Sequence, residues 1–160
     1  MAKSSVSITG IDKVNKLIED LKDPFTTRDG DALGDIVVSD MKDLISKGVS
    51  PIKGAGRFER YKNSDKYPGD RKPARPVNLF LTGEFIDSLR YKSKKITEGL
   101  EVKVFYGTRL SNLKEQGHRE GANRQPKRPT IPNDSEEIAV SIERKILAYI
   151  KDLLKNFSSR

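Results

Sequence analysis

Hydrophobic and polar positions alternate most cleanly over residues 100–106. Leu100, Val102, Val104 and Tyr106 fall on one side, with Glu101 and Lys103 on the other, which is the period of a half-buried strand. Residues 90–96 precede it across Thr97-Glu98-Gly99, so the two segments predict a β-hairpin. The alternation places Leu100, Val102, Val104 and Tyr106 against the core helices. A second period, near 3.6, appears elsewhere. Ile11, Val14, Leu17, Ile18 and Leu21 form one helical stripe, opened by a weak Thr9/Asp12 box and ended at Pro24. A helix over residues 31–47 buries Leu33, Ile36, Val37, Met41, Leu44 and Ile45 and stops at Gly48. Its polar face is acidic, with Asp35, Asp40 and Asp43. A long C-terminal helix running to about residue 156 carries Ile138, Ile142, Ile146, Tyr149, Ile150, Leu153 and Phe157, with Asn133 and Glu136 at its start.

Shorter pieces join these. Val6 and Ile8 suit a short strand over residues 5–9, and Phe85, Ile86 and Leu89 suit a helical turn after Gly83. Residues 109–115 predict another helical turn, residues 117–127 a polar loop, and Pro129 and Pro132 an extended stretch. Residues 50–78 have no period. Pro51, Gly54, Gly56, Pro68, Gly69, Pro73 and Pro76 punctuate them, and a connection this long is more often functional than a plain link. The elements add up to a single α+β domain over residues 1–160. It is a small antiparallel sheet with a hairpin, packed by N-terminal helices and a long C-terminal helix, plus long extended loops. Residues 50–78 form an extended loop or arm, ordered mainly by neighbouring subunits.

Composition sharpens this picture. The chain has 160 residues with 34% hydrophobic and 34% charged side chains, so the core is thin and much surface is exposed or covered by a partner. Cysteine is absent, which removes a disulfide framework. The N-terminus has no apolar run of a signal peptide, and no stretch approaches a membrane span. The expectation is a soluble protein made in a reducing cytosol. The formal charge is +8, concentrated at residues 47–75 (net +6), 90–95 (+4) and 109–128 (+4), with the remainder at −6. Loops and the hairpin therefore carry the positive charge, either as solvated surface or as a positive face toward nucleic acid or an acidic protein partner.

Little points to catalysis. His118 is the single histidine, and without cysteine a zinc site lacks ligands. The carboxylates sit on helix faces, and Gly54-Ala55-Gly56 is too short for a dinucleotide loop. His118 is read as a surface loop residue. No catalytic, cofactor-binding or metal-binding residue is assigned, and the chain is read as a non-enzyme.

Three segments carry a family resemblance. Leu81-Thr82-Gly83-Glu84-Phe85-Ile86-Asp87-Ser88-Leu89 resembles an L-T-G-x-L-x-x-S-I block before a hairpin. Residues 102–107, followed by Leu113-Lys114-Glu115-Gln116-Gly117-His118, resemble a strand and an "E-x-G" or "H-Q-x-G" segment. Arg128-Pro129-Thr130-Ile131-Pro132 before a terminal helix resembles an R-P-F block, with Thr130 where that block has an aromatic. In this order the chain resembles the bacteriophage virion-morphogenesis and tail-completion proteins of the head–tail neck. The resemblance implies a structural virion protein, a head–tail joining subunit forming a ring, expected to be hexameric, between the head connector or stopper and the tail terminator or tail tube. DNA would pass non-specifically through its lumen. Phe58, Arg60, Tyr61, Lys62, Tyr67, Arg71, Lys72, Arg119, Arg124, Lys127 and Arg128 are the expected inter-subunit or partner contacts. Thr82, Gly83, Phe85, Leu89, Gly117 and Pro129 are the expected structural motif. The alternatives are a basic nucleic-acid-binding domain and a tail terminator or other connector-ring subunit. A hydrolase using His118 ranks last.

Overall fold

A computed structural model describes residues 25–60, 77, 79, 83–97, 99–121 and 126–158. The strand expected at residues 5–9 and the helix expected to end at Pro24 lie outside them. The described elements are α1 (Thr27–Ser46), α2 (Glu84–Asp87), β1 (Leu89–Ile96), β2 (Gly99–Tyr106), α3 (Arg109–Glu120) and α4 (Val140–Ser158). The fold is α+β, as the alternation of periods predicts.

Helix α1 starts four residues before its expected position. Thr26 is the reason: its hydroxyl accepts from the Asp29 amide, and the Asp29 carboxylate accepts from the Thr26 amide at 2.8 Å. This reciprocal box satisfies donors that the first turn would leave orphaned. At the other end Gly48, with φ 72°, lets its own amide reach the Ile45 carbonyl and the Val49 amide reach that of Leu44. A left-handed residue is required there, and glycine adopts it without a Cβ clash. Leu33, Val37, Met41 and Ile45 are buried between, at the spacing the sequence shows.

The hairpin pairs Leu89 with Tyr106 and continues in register to Ile96 opposite Gly99. Directly opposed residues share a face. Leu89, Tyr91 and Ser93 therefore lie with Leu100, Val102, Val104 and Tyr106. This face meets α1, and Val102, Val104 and Tyr106 are buried as expected. The helix comes close because glycine faces the strand: a Cβ on Gly34 would lie 2.2 Å from Cδ2 of Tyr91. Helix α1 also packs on α4, whose Ile142, Ile146 and Ile150 face inward at i, i+4 and i+8. Lys145 pairs with Asp40 at 2.7 Å across that contact. The hairpin, α1 and α4 thus enclose one shared core.

Three local expectations are corrected. First, α4 begins at Val140 rather than near Asn133. Asn133 and Glu136 do form a capped turn, with the Asn133 amide donating to Glu136 at 2.9 Å. Residues 137–139 are drawn into extended pairing instead. Lys53 N donates to Glu137 O at 2.8 Å, and Ala139 N to Pro51 O at 2.7 Å. Second, residues 50–60 are not an extended arm. They turn back tightly: the Ser50 amide donates to Gly56 O, the Phe58 amide to Gly48 O, and Ile52 bridges Ile138. Third, α3 runs on to Glu120, so Gly117 and His118 lie in a helix and not in a polar loop.

Candidate functional site

The residues singled out from the sequence divide into an interior clamp and an outer surface. The clamp is built where α3 meets the Arg-Pro-Thr-Ile-Pro segment. Glu115, buried on α3, accepts from the amide of Thr130 at 3.1 Å, the amide of Ile131 at 3.3 Å and the hydroxyl of Thr130. The Thr130 proton goes to Glu115, so its oxygen accepts from the Tyr106 hydroxyl at 2.6 Å. A chain of donors thus runs from β2 through Thr130 to α3. Burial pushes the Glu115 carboxyl above the usual carboxylate range, and the Thr130 and Ile131 contacts only partly offset that. Burial, then the nearby Glu115 charge, holds the Tyr106 phenol well above its ordinary value. Tyr106 therefore stays neutral and serves as a donor.

Arginines complete the clamp. Arg119 pairs with Glu136 at 2.9 Å, approaches Glu115 at 3.6 Å, and donates to the Ile131 carbonyl. Arg128 is 1% exposed; its Nε and Nη2 donate to the carbonyl of Glu59 at 3.0 and 2.9 Å, and Nη2 also donates to that of Arg60. A guanidinium suits this task because its planar fork reaches two carbonyls at once. Phe58, also buried, sits in the core just before the gripped residues. Phe58, Arg119 and Arg128 were expected on a partner surface. The structure corrects Phe58 and Arg128, which are buried, and leaves Arg119 half-buried; together they fasten residues 58–60 and 128–136 to the body.

Of the other expected contacts, Arg60 and Lys127 are exposed. Tyr61, Lys62, Tyr67, Arg71, Lys72 and Arg124 lie outside the described residues, as does Thr82. The motif residues are structural. Gly83 precedes α2 with φ 85°, Phe85 stacks on Tyr106 with ring centroids 4.5 Å apart, and Leu89 is buried. The Gly117 carbonyl accepts from the Gly121 amide, and the Pro129 carbonyl from the Ser50 hydroxyl at 3.0 Å. The His118 ring lies 5.5 Å from that of Phe85 and is half-buried, against the surface-loop reading.

The outer surface is the second face of the hairpin. Arg90, Lys92 and Lys94 project from β1, and Glu101, Lys103 and Phe105 from β2. Glu101 pairs with Lys94 at 3.0 Å and Lys103 at 3.3 Å, and the Lys94 contact leads in holding its carboxyl low. Lys92 lies 5.5 Å over the Phe105 ring. The alternation already marks the outer face of the first strand as very basic, and the register adds which charges stand opposite one another. Among the described residues no three His, Asp or Glu side chains gather as a metal site, and no described helix is long and apolar enough to cross a membrane. No family model, curated protein or solved structure matches this chain.

Proposed function

We propose that the chain is a structural subunit of the bacteriophage neck, joining head to tail as part of a ring around the DNA channel. The observation carrying this reading is the convergence of the three family-like segments. Phe85 of the first stacks on Tyr106 of the second, and Glu115 of the second holds Thr130 and Ile131 of the third. Segments that resemble a family in order are thereby also one packed unit, as a shared fold requires. Glu115, Thr130, Tyr106 and Arg119 of that unit are joined by hydrogen bonds and an ion pair, which suits a rigid scaffold element. A second fastening sits beside the sequence read as an arm. Arg128 grips the chain at Glu59 and Arg60, fixing the residues immediately before that basic, proline-rich sequence.

The partners on this reading are further copies of the chain, the head connector or stopper, and the tail terminator or tube. The product is a virion component made in the host cytoplasm. The test is a mass measurement by light scattering on the purified 18.0 kDa chain, alone and with connector and tail-terminator rings. Assembly into a closed ring, or a stable complex with either ring, is the expected result. A chain that stays monomeric in every mixture would overturn the proposal. The basic hairpin face favours a second reading, a nucleic-acid-binding domain, which that monomeric outcome would leave standing. His118→Ala is expected to retain full infectivity; loss of infectivity with intact assembly would point to chemistry.

A further inference from the structure

We infer that the outer face of the hairpin is a docking surface for a nucleic-acid backbone, with phosphate seated at the opposed pair Lys92 and Lys103. The neck reading supplies the nucleic acid, namely DNA in the channel, and this inference rests on it for that source alone.

The argument starts from a cost. Lys92 and Lys103 are cross-strand partners in the register. Like charges directly opposite one another on a sheet destabilise the pairing, because their Cβ atoms stand only about 5 Å apart. A hairpin selected for stability alone would place opposite charges there, as it does one step on, where Lys94 opposes Glu101. Glu101 must answer both Lys94 and Lys103, so the face keeps a positive excess. The acidic side chains of α1 do not serve it: Asp40 is paired with Lys145, Asp43 with Lys47, and Asp31 accepts from Ser93 on the inner face. An external polyanion would relieve the Lys92–Lys103 repulsion.

Spacing and composition favour nucleic acid over protein. Arg90, Lys92 and Lys94 occupy alternate positions of one strand and are exposed; Arg90 Nη1 donates to the Asp87 and Leu89 carbonyls and Lys94 pairs with Glu101, so Lys92 is the member of the row least engaged by the protein. Such positions recur every ~6.8 Å, close to the separation of adjacent phosphates along a nucleic-acid strand. A two-stranded ribbon is also narrow enough to follow a groove of the duplex. Protein interfaces are depleted in lysine and are anchored by buried aromatic or apolar side chains. This face offers a half-buried Phe105 beneath Lys92, and Ile96 at the hairpin tip, 38% exposed. A cationic ribbon with so little apolar anchoring matches the strongly positive character of nucleic-acid interfaces.

The test is fluorescence anisotropy of a short mixed-sequence DNA duplex titrated with the full chain over a salt series. Each phosphate contact contributes about −0.9 to the slope of log K against log salt, and hence about tenfold in affinity near 0.1 M salt. Lys103→Glu should remove its own contact and neutralise Lys92. The slope should flatten by about 1.8, while the melting temperature holds or rises because the cross-strand pair becomes attractive. Glu101→Gln should act in the opposite direction, tightening binding by releasing Lys94 and Lys103. Arg144→Ala and Lys151→Ala, on the exposed side of α4, should leave the slope unchanged. Equal slopes for the chain and Lys103→Glu would overturn the inference, as would equal losses from the α4 variants. Unchanged duplex binding with lost capture of a neck ring would overturn it too, assigning the face to an acidic protein. Light scattering separates this from the neck reading. Failed assembly with a flattened slope sinks only the neck proposal, whereas intact assembly with an unchanged slope sinks only the docking face.

Discussion

Replacing Gly34 by alanine should destabilise the protein, although the same change in most helices stabilises. In an exposed helix interior alanine is favoured over glycine by about 1 kcal/mol. Gly34 lies instead where α1 crosses β1. A Cβ built there meets the Tyr91 ring at 2.2 Å from Cδ2, 2.4 Å from Cε2 and 2.6 Å from Cγ. Carbon atoms pack at about 3.5–4.0 Å, so ring and helix must separate by about 1.3 Å or more. The ring tip cannot relieve this by moving alone, because the clash includes Cγ, the root of the ring, as well as Cδ2 and Cε2. Overpacking of this kind costs about 1–3 kcal/mol, and a clash with ring carbons at such a distance belongs to the upper half of that range. After the helix-propensity gain, a net loss of about 1–2 kcal/mol remains. For a chain of this length that lowers the melting temperature by roughly 2–8 °C. Thermal unfolding followed by circular dichroism measures it. The coupling is checked in the background Tyr91→Ala, where the ring is gone and Gly34→Ala should become neutral or stabilising. A melting temperature for Gly34→Ala equal to or above that of the parent chain would refute the close-packed crossing of α1 over the hairpin.

Other consequences concern the core and the clamp. Thr130→Val keeps the shape but breaks the donor chain from Tyr106 to Glu115, and should cost about 1–3 kcal/mol in urea unfolding; an unchanged midpoint would count against the relay. Glu115→Gln should alter the pH dependence of stability. The folded carboxyl titrates above its unfolded value, so its contribution is fully present below about pH 4.5 and is lost as pH rises through the raised folded value. The gap between parent and variant should shift over that window and then level off, whereas parallel pH curves would reject the buried-carboxyl account. Arg128→Leu should release the Glu59 and Arg60 carbonyls, seen as faster tryptic cleavage at Arg57 or Arg60 while hairpin amides stay protected from exchange. Val104→Asp should put an uncompensated charge under α1 and unfold the subunit, unless β2 faces the other way.

The local periods of this sequence were legible and its long-range backbone pairings were not. Alternation over residues 100–106 located β2 and its buried face because a half-buried strand must alternate to satisfy two environments at once. The stripe of Ile142, Ile146 and Ile150 was equally plain. The start of α4 was not, since Asn133 and Glu136 form a genuine local cap. What overrides it is pairing of residues 137–139 with residues 51–53, nearly ninety positions away. The extent of α3 was hidden similarly. Gly117 and a polar run argue for a loop, yet Glu115 and Arg119, one turn apart, are both tied to the segment ending at Pro132. The start of α1 could have been found, because Thr26 and Asp29 have the spacing of a capping box.

The fate of the arginines exposes a deeper limit. Arg128 and Arg119 look like surface charge in a basic stretch, but backbone carbonyls recruit both of them inward. Every residue carries a carbonyl, so no side-chain pattern advertises such an acceptor. Net charge per segment therefore overstates what remains for a partner. Arg119 and Arg128 belong to the mechanics of the fold, and among the described residues the outward positive charge includes the lysines of the outer strand face. There the register, unlike the composition, distinguishes an opposite-charge pair, Lys94 with Glu101, from a like-charge one, Lys92 with Lys103, which the shared Glu101 relieves only on the Lys103 side. The like-charge pair is a local conflict between stability and charge. Conflicts of that kind concentrate where a sequence answers to function as well as to folding. That logic makes the hairpin face, rather than the more conspicuously basic segments, the surface proposed to meet a polyanion.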